Sequence, residues 1–259
     1  MRIALVRRPS PRLAEGVVEH IERVPVDLDR AVAQWEAYVD ALRSAGWDVR
    51  EVAPSPEHPD SVFVEDTVVM FRGTAVLARA GHPSRRGEEG ATADLLQGLG
   101  ARVVPLTEPA TLDGGDVLKV GDTVYVGRSD RTNAAGVTQL RAALEPLGAT
   151  VVAVPVTRVL HLKTAVTALP DGTVIGYEPN VDEPRLFPRF LPVPEEHGTA
   201  VVDLGEGRLL LSASAPRTAD LLADLGWRPV TVDIAEYEKL EGCVTCLSVR
   251  VRELPAPTA

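Results

Sequence analysis

The sequence predicts one α/β domain built as a closed propeller of five similar modules. A short strand ended by proline or aspartate recurs near residues 54, 105, 155, 194 and 233, at intervals of 39 to 51 residues. Four of these five strands follow a helical segment that stops at a glycine, and a hairpin pattern lies between successive strands. Repeats of this length are typical of propellers and solenoids. An ordinary mixed α/β sandwich is the alternative, but it leaves the regular spacing unexplained.

The first module begins with a strand over residues 2–8 and a polar, proline-rich loop that reaches Gly16. Apolar residues at helical spacing predict a helix over 29–44, which Gly46 ends. The hairpins are expected at residues 66–78, 116–126, 162–175 and 199–211, and the last three carry Gly-Asp, Asp-Gly and Gly-Glu-Gly turns. The segment 177–190 is rich in proline and acid and is expected to be the least ordered loop.

The fifth hairpin lacks one strand, because only the segment from Cys246 to about Arg252 remains after Asp233. The strand at residues 2–8 has no partner in its own module. Pairing of these two terminal segments would close the ring and leave no open sheet edge at the seam. The whole chain, residues 1–259, is therefore expected to form a single domain.

Charge and hydropathy exclude several classes of partner. The 27 basic and 37 acidic side chains give a net charge of −10, which argues against nucleic acid and anionic membranes and favours a cationic ligand. The first residues are too short an apolar run for a signal peptide, and no run of about 18 apolar residues could span a membrane. We therefore expect a cytoplasmic protein with reduced thiols, either a monomer or a homodimer.

Residues suited to chemistry fall in the loops that precede the hairpins and the last strand. These loops hold Glu65 and Asp66, then Asp113, then His161 and finally Cys246. In a propeller such loops converge at one end. Each residue alone has an ordinary structural explanation: a solvated loop acid, a turn aspartate, a hydrogen-bonded histidine or a buried thiol. Together they predict one site, because a reactive cysteine needs a base or a cation beside it.

Cys243 and Cys246 also form a Cys-x-x-Cys pair. Such a pair is typical of thioredoxin-like redox sites and of half a zinc site. The chain has no second cysteine pair, and the residues after Cys246 alternate like a strand, whereas a redox pair normally begins a helix. A redox switch remains an alternative, and no metal site is expected.

Six segments in order resemble dimethylarginine dimethylaminohydrolases, within the guanidino-group-modifying superfamily. They are residues 61–66, 81–88, 110–118, 131–133, 160–163 and 245–249. The resemblance spans residues 60 to 249. It implies the pentein fold, a five-bladed α/β propeller, and hydrolysis of Nω-methylated arginines to citrulline and dimethylamine or methylamine. It implies a small-molecule substrate and no cofactor.

The resemblance also assigns roles to the reactive residues. Cys246 would attack the guanidinium carbon and form a covalent thiouronium intermediate. His161 would act first as general acid and then as general base, with Asp113 holding its imidazole. Glu65 and Asp66 would bind the guanidinium, whose fork of donors matches carboxylates.

The amino-acid end of the substrate is assigned in the same way. Arg85 and Arg131 would bind its carboxylate, a bidentate task that suits arginine. Asp60 would bind its ammonium group, with backbone carbonyls near Val17 and Leu240 as further acceptors. The loop around Gly16 is expected to act as a lid.

Other functions stay open. Arginine deiminases and amidinotransferases use similar groups, but the deiminases carry a helical insertion for which 259 residues leave no room, and the chain is also short for an amidinotransferase. Agmatine has no carboxylate for Arg85 and Arg131. A non-catalytic amino-acid-binding or redox-sensing protein is the remaining alternative, although a pure binder would not need Cys246.

Overall fold

The computed structural model describes residues 2–254, so residue 1 and residues 255–259 of the predicted domain lie outside the described residues. Residues 2–254 contain fifteen strands in five three-stranded sheets. In chain order the strands are β1 (Ile3–Val6), β2 (Asp48–Glu51), β3 (Val68–Phe71), β4 (Thr74–Leu77), β5 (Arg102–Pro105), β6 (Val117–Val120), β7 (Thr123–Arg128), β8 (Thr150–Pro155), β9 (Val166–Ala168), β10 (Val174–Gly176), β11 (Phe190–Pro192), β12 (Val202–Gly205), β13 (Arg208–Ser212), β14 (Arg228–Val232) and β15 (Val249–Val251).

All five sheets have the same topology. Sheet 1 has the order β15-β1-β2, sheet 2 β3-β4-β5, sheet 3 β6-β7-β8, sheet 4 β9-β10-β11 and sheet 5 β12-β13-β14. In each sheet the central strand pairs antiparallel with one neighbour and parallel with the other. Residues 2–254 therefore form an α/β fold of five small mixed sheets with one strand order.

The two ends of the described chain meet in sheet 1. Strand β1 runs antiparallel to β15, with Ile3 opposite Val251 and Leu5 opposite Val249. Its other edge pairs in parallel with β2, where Ile3 lies opposite Asp48. The terminal segments therefore pair as the sequence predicts.

Residues 2–254 also contain six helices. Each of the four longest lies, in chain order, between the central strand of a sheet and the strand that pairs parallel to it. The six helices are α1 (Leu28–Ser44), α2 (Glu89–Gly98), α3 (Ala134–Leu144), α4 (Leu162–Ala165), α5 (Pro216–Asp224) and α6 (Ala235–Glu238). Asp27 caps the N-terminus of helix α1, where its side chain accepts the N–H of Arg30, and the helix buries Trp35 and Leu42. Gly46 follows it with φ of 83°. No helix of the described residues is long and apolar enough to cross a membrane.

The connection from β10 to β11 differs from the others, since it contains two short 3-10 turns at Glu178–Asn180 and Pro184–Leu186 instead of a helix. The expectation that residues 177–190 form the least ordered loop stays a prediction. Phe187 is buried, and its ring packs against Tyr125 with 5.0 Å between the centroids. This contact attaches a proline-rich segment without regular periodicity to the core at one point.

The buried apolar side chains form five clusters, and each cluster joins two sheets. Ala4 and Val202 belong to one cluster, which links sheet 1 to sheet 5. Leu5 packs in the cluster that links sheet 1 to sheet 2. The other clusters link sheet 2 to sheet 3, sheet 3 to sheet 4 and sheet 4 to sheet 5. Each sheet therefore shares a core with two others.

Two predicted strands begin later than expected. Residues 162–165 form helix α4, and the strand starts only at Val166. Cys246 lies in a turn before β15, where its N–H donates to the Cys243 carbonyl at 3.1 Å. Short buried apolar segments carry no clear periodicity, so they do not distinguish a helical turn from a strand.

Candidate active site

Eight of the ten residues nominated from the sequence line one small pocket. Its volume is about 20 Å³, and Phe63, Leu160, Glu241 and Gly242 complete its wall. The eight residues are Val17, Asp60, Asp66, Arg85, Arg131, His161, Leu240 and Cys246. They come from segments far apart in sequence, so the predicted convergence of loops brings them together. Asp113 and Glu65 do not line this pocket.

Asp113 lies directly behind His161. The Nε2 atom of His161 is 3.1 Å from Oδ2 of Asp113, which is fully buried. The other oxygen, Oδ1, accepts the N–H of Gly81 at 2.9 Å. The imidazole is therefore held by a carboxylate that is itself held by the backbone, as expected of a histidine that transfers protons.

Residues 113–116 have the sequence Asp-Gly-Gly-Asp, a motif that allows the backbone to approach the site closely. The N–H of Gly115 donates to Oδ1 of Asp66 at 2.8 Å. A Cβ atom at Gly115 would lie 2.6 Å from Nδ1 of His161 and 2.7 Å from Oδ1 of Asp66. One at Gly114 would lie 2.1 Å from the carbonyl oxygen of Glu65. Both positions therefore require glycine because of close contacts and not because of turn geometry.

His161 is surrounded by carboxylates. Burial alone would lower its pKa, but the charge of Asp66, the hydrogen bond with Asp113 and the charge of Asp116 together raise the pKa to about 9. The Nδ1 atom lies 4.0 Å from Oδ1 of Asp66. At neutral pH the imidazole therefore carries its second proton and can act as an acid.

Asp66 faces the pocket and is paired with Arg85. The Nη1 atom of Arg85 lies 2.6 Å from Oδ2 of Asp66, and its Nη2 lies 2.7 Å from Oε2 of Glu88. Nη2 also donates to the carbonyls of Asp60 and Phe63. Burial raises the pKa of Asp66, but the charges of His161 and Arg85 outweigh it and hold the pKa below its usual value. Asp66 is therefore an ionised carboxylate, as a site for a cation requires.

Arg131 is paired with Glu19 of the loop that follows Gly16. Its Nε and Nη2 atoms lie 3.2 and 2.7 Å from Oε2 of Glu19. The same loop is fastened at a second point, because the side chain of Glu241 accepts the N–H groups of Glu19 and His20 at 2.7 and 3.1 Å. Glu19 therefore occupies the guanidinium of Arg131, which the resemblance expects to bind the substrate carboxylate.

Asp60 and Val17 meet at another wall of the pocket. The N–H of Val17 donates to both carboxylate oxygens of Asp60, at 3.1 and 3.2 Å. A Cβ atom at Gly16 would lie 2.7 Å from Oδ1 of Asp60, so this loop packs tightly on the carboxylate. Leu240 lines the same pocket. The groups assigned to the ammonium end are thus adjacent.

Glu65 lies apart from its neighbour Asp66. Its Oε1 atom lies 2.7 Å from Nζ of Lys163 and also accepts from Arg250, while Oε2 is buried with no hydrogen-bond partner among residues 2–254. Glu65 lines a larger cavity of about 520 Å³ that includes neither Cys246 nor His161. The two acids occupy one turn of 3-10 helix, Val64–Thr67, in which successive side chains point in different directions. The structure therefore does not bring Glu65 into the pocket with Asp66.

Cys246 is buried, with 7% of its surface exposed, and its Sγ atom lies 3.1 Å from Sγ of Cys243. The hydrogen bond with Cys243, burial and the charges of Cys243, Glu65 and Asp66 all raise the pKa of Cys246 above its usual value. In this state the thiol is neutral. A cation placed in the pocket would offset these charges and favour the thiolate.

Several residues at the site were not assigned roles from the sequence. Asp116 accepts the N–H of Leu162 at 2.9 Å and the hydroxyl of Thr132 at 2.6 Å, so it joins the His161 segment to the Arg131 segment. Its position in the Asp-Gly-Gly-Asp motif was the available signal. The pairing of Glu19 with Arg131 had no local signal, because the two residues are 112 positions apart.

The chain is similar to known proteins over most of its length. A family model described as "N,N dimethylarginine dimethylhydrolase, eukaryotic" matches residues 21–170. A dimethylarginine dimethylaminohydrolase of Streptomyces coelicolor is 67% identical over 251 residues, which cover 97% of this chain and 97% of the relative.

Two solved structures are similar over nearly the whole chain. One is a dimethylarginine dimethylaminohydrolase variant in an adduct with S-methyl-L-thiocitrulline, with a TM-score of 0.91, 32% identity and coverage of 97% and 100% of the two chains. The other is a variant of the Pseudomonas aeruginosa enzyme complexed with citrulline, with a TM-score of 0.88, 33% identity and coverage of 96% and 98%. The sequence similarity and the shared fold show that this chain belongs to the dimethylarginine dimethylaminohydrolase family.

Proposed function

We propose that the protein hydrolyses Nω-methylated arginines to citrulline and dimethylamine or methylamine. The observation that carries this proposal is the arrangement of a thiol, a carboxylate-bound imidazole and an ionised carboxylate around one buried pocket. Family membership supports it, as do the citrulline and the S-methyl-L-thiocitrulline adduct in two relatives.

Asp66 binds the substrate guanidinium. Its carboxylate is buried and ionised, and a guanidinium donates to carboxylates through parallel N–H groups. The bound cation lies between Asp66 and Cys246 and lowers the free energy of the thiolate, so Cys246 loses its proton to solvent water as the substrate binds. The thiolate then attacks the guanidinium carbon. A resting thiol with a raised pKa is compatible with this step.

His161 transfers the protons in both halves of the reaction. It enters the reaction protonated and gives a proton to the amine that leaves the tetrahedral adduct, which yields the thiouronium intermediate. The neutral imidazole then takes a proton from water, and the resulting hydroxide adds to the same carbon. Collapse of this second adduct breaks the C–S bond and releases citrulline. Asp113 keeps the imidazole oriented and stabilises its cation through the 3.1 Å contact.

Arg131 binds the substrate carboxylate after Glu19 leaves it. Asp60 binds the ammonium group, with the backbone carbonyls of Val17 and Leu240 as further acceptors. Arg85 is fully engaged by Asp66, Glu88 and two carbonyls, so it reaches the carboxylate only by exchanging one of these partners.

We infer a supporting role for Glu65. Its N–H donates to the carbonyl of Cys246 at 3.2 Å, and its carboxylate is held by Lys163 and Arg250. Glu65 therefore acts from behind the pocket, where it fixes the turn that carries the nucleophile, and Asp66 is the principal anion for the guanidinium.

We also infer that the five sheets are the blades of a closed propeller in a single catalytic domain. The five apolar clusters support this arrangement, because each sheet shares a core with the next and sheet 5 shares one with sheet 1. A ring of this kind places the loops of Asp66, Asp113, His161 and Cys246 around one axis.

The test is citrulline formation from asymmetric dimethylarginine, monomethylarginine and arginine, measured side by side. We expect turnover of both methylated substrates and its loss in Cys246→Ser, with Cys243→Ser as the matched control that retains turnover. Turnover of arginine alone would contradict the proposed substrate and indicate a deiminase. No turnover of any of the three would contradict hydrolysis.

A further inference from the structure

Two thiols lie within contact distance at the site. Both cysteines are free, and their Sγ atoms are 3.1 Å apart. The N–H of Cys246 donates to the carbonyl of Cys243 at 3.1 Å, which closes a four-residue turn. Such turns hold their end Cα atoms within about 7 Å, and disulfides need about 4.4 to 6.8 Å. The backbone of this turn is therefore already compatible with a disulfide.

The turn is also held in place. A Cβ atom at Gly242 would lie 2.4 Å from the ring of Phe63 and 3.0 Å from the carbonyl oxygen of Tyr237, so the backbone before Cys243 packs closely against both residues. The Cys243 N–H donates to Sγ of Cys246 at 3.4 Å. Bond formation requires the two sulfur atoms to approach by about 1 Å, to an S–S length of about 2.05 Å, which side-chain rotation can supply.

The two thiols differ in environment. Cys243 is half-buried, whereas Cys246 is buried and lines the small pocket. The hydrogen bonds from Cys246 and Thr245 lower the pKa of Cys243 against the opposing effect of burial. Cys243 is thus the thiol that a peroxide reaches more readily, and its lowered pKa favours the thiolate, which is the form that peroxides oxidise.

We propose that Cys243 and Cys246 form a reversible disulfide when a hydroperoxide oxidises the pair, and that Cys246 is then withdrawn from catalysis. The Cys243 thiolate attacks the peroxide, the O–O bond breaks, and the sulfur becomes a sulfenic acid while the peroxide is reduced. Cys246 then attacks that sulfur, the S–S bond forms, and the S–O bond breaks with release of water. A dithiol reductant reverses the reaction by thiol exchange.

The loss of activity rests on the proposed function, because it assumes that Cys246 is the nucleophile. Formation of the disulfide does not depend on it. The pair would protect Cys246 from irreversible oxidation to sulfinic acid, since a disulfide can be reduced and a sulfinic acid in general cannot.

To test this, the full chain is treated with a small molar excess of hydrogen peroxide, and the remaining thiols are blocked with an alkylating agent. The tryptic peptide of residues 240–250 is then analysed by mass spectrometry. In the wild type we expect this peptide to lose two hydrogens and to regain them, together with citrulline-forming activity, in dithiothreitol. In Cys243→Ser and Cys243→Ala we expect oxygen adducts on Cys246 instead, because loss of the Cys243 thiol removes the contact that contributes most to the raised pKa of Cys246. Recovery of activity should be at least about fivefold lower than in the wild type, because no disulfide diverts the oxidised sulfur.

The proposal is overturned if the wild-type peptide carries only oxygen adducts on Cys246, or if the wild type and both variants recover activity equally. The mass measurement separates this inference from the proposed function. A disulfide in a protein without hydrolase activity would overturn the function and not the redox pair.

Discussion

Folding raises the proton affinity of His161, and the proposed reaction depends on this change. Three carboxylates, those of Asp66, Asp113 and Asp116, act on a side chain that is only 3% exposed. Their combined charge exceeds the cost of burying an imidazolium, so the folded protein binds the proton more tightly than the unfolded chain does. The same interaction that prepares an acid for the leaving amine therefore makes stability depend on pH.

The sign of this dependence follows from the raised pKa. The contribution of His161 to stability is fully present below its unfolded pKa of about 6.5 and is lost as the pH rises through about 9. We expect the free energy of unfolding of the wild type to exceed that of His161→Gln by an amount that shrinks by up to roughly 3 kcal/mol over this range.

Urea unfolding of both proteins from pH 6 to pH 10 measures this difference. His20→Gln is the matched control, because His20 is exposed and its replacement should leave the pH profile unchanged. A difference between wild type and His161→Gln that stays constant across the range would contradict the raised pKa.

Gly115 lies directly against His161 and Asp66, so a side chain at this position should disturb catalysis. In Gly115→Ala the new methyl group would lie within 2.7 Å of both His161 and Asp66, so one of the two must move. We expect kcat to fall at least about a hundredfold, because a displaced acid loses most of the advantage of general acid–base catalysis. The control is Gly90→Ala, where a Cβ atom would meet nothing within 4 Å. Steady-state kinetics with both variants decides the matter, and wild-type kcat in Gly115→Ala would refute the close packing.

The segment from Val17 to His20 lies against the pocket, which Val17 lines. It is fastened to Asp60, Arg131 and Glu241 through hydrogen bonds of 2.7 to 3.2 Å. The pocket beneath measures about 20 Å³, far below the roughly 300 Å³ of the smallest typical ligand sites. The pocket must widen before an arginine-sized molecule enters, and this segment is the element whose release would widen it. Its role as a lid remains a prediction.

Release of this segment must break the ion pair between Glu19 and Arg131, which costs free energy. In Glu19→Gln the substrate carboxylate no longer competes with a charged group for Arg131. We therefore expect KM to fall about two- to fivefold with little change in kcat. This change corresponds to the loss of a partly exposed ion pair of about 0.5–1 kcal/mol. Glu22→Gln, at an exposed acid of the same loop, is the control and should keep the wild-type KM. An unchanged or raised KM in Glu19→Gln would show that Glu19 does not compete with substrate.

The arrangement of the five sheets makes the whole chain depend on the pairing of its ends. Strand β1 supplies the centre of sheet 1, and its side chains enter the clusters that join this sheet to sheets 2 and 5. Without β1, two clusters would lose part of their packing and two strands would lose their partner. Unfolding is therefore expected to be one cooperative transition.

Leu5→Ala tests this dependence. Leu5 is fully buried in β1, and removal of its side chain leaves a cavity at the junction of sheets 1 and 2, which should cost about 2–5 kcal/mol of unfolding free energy. Leu225→Ala, at a leucine that is 52% exposed, should change stability by less than about 0.5 kcal/mol. Chemical denaturation measures both variants. Two separate transitions, of which only one responds to Leu5→Ala, would contradict a single domain.

Local sequence patterns were enough to predict most strands of the five sheets, the pairing of the two terminal strands and most of the residues of the pocket. Alternation of apolar residues, glycine stops and turn pairs act over a few positions, and that is the range over which strands and hairpins are specified. Cys246, His161 and Asp66 could be placed at one site because equivalent loops of a repeat meet at one end.

Folding of the whole chain, by contrast, set the direction in which these side chains face and the partners that they contact. It separated Glu65 from Asp66, paired Arg85 with Asp66 and Glu88, and set Glu19 against Arg131. Neighbouring side chains in a tight helical turn diverge, and ion pairs between distant segments leave no periodic trace in the chain. Their choice of partner depends on burial and distance, which exist only once the chain has folded.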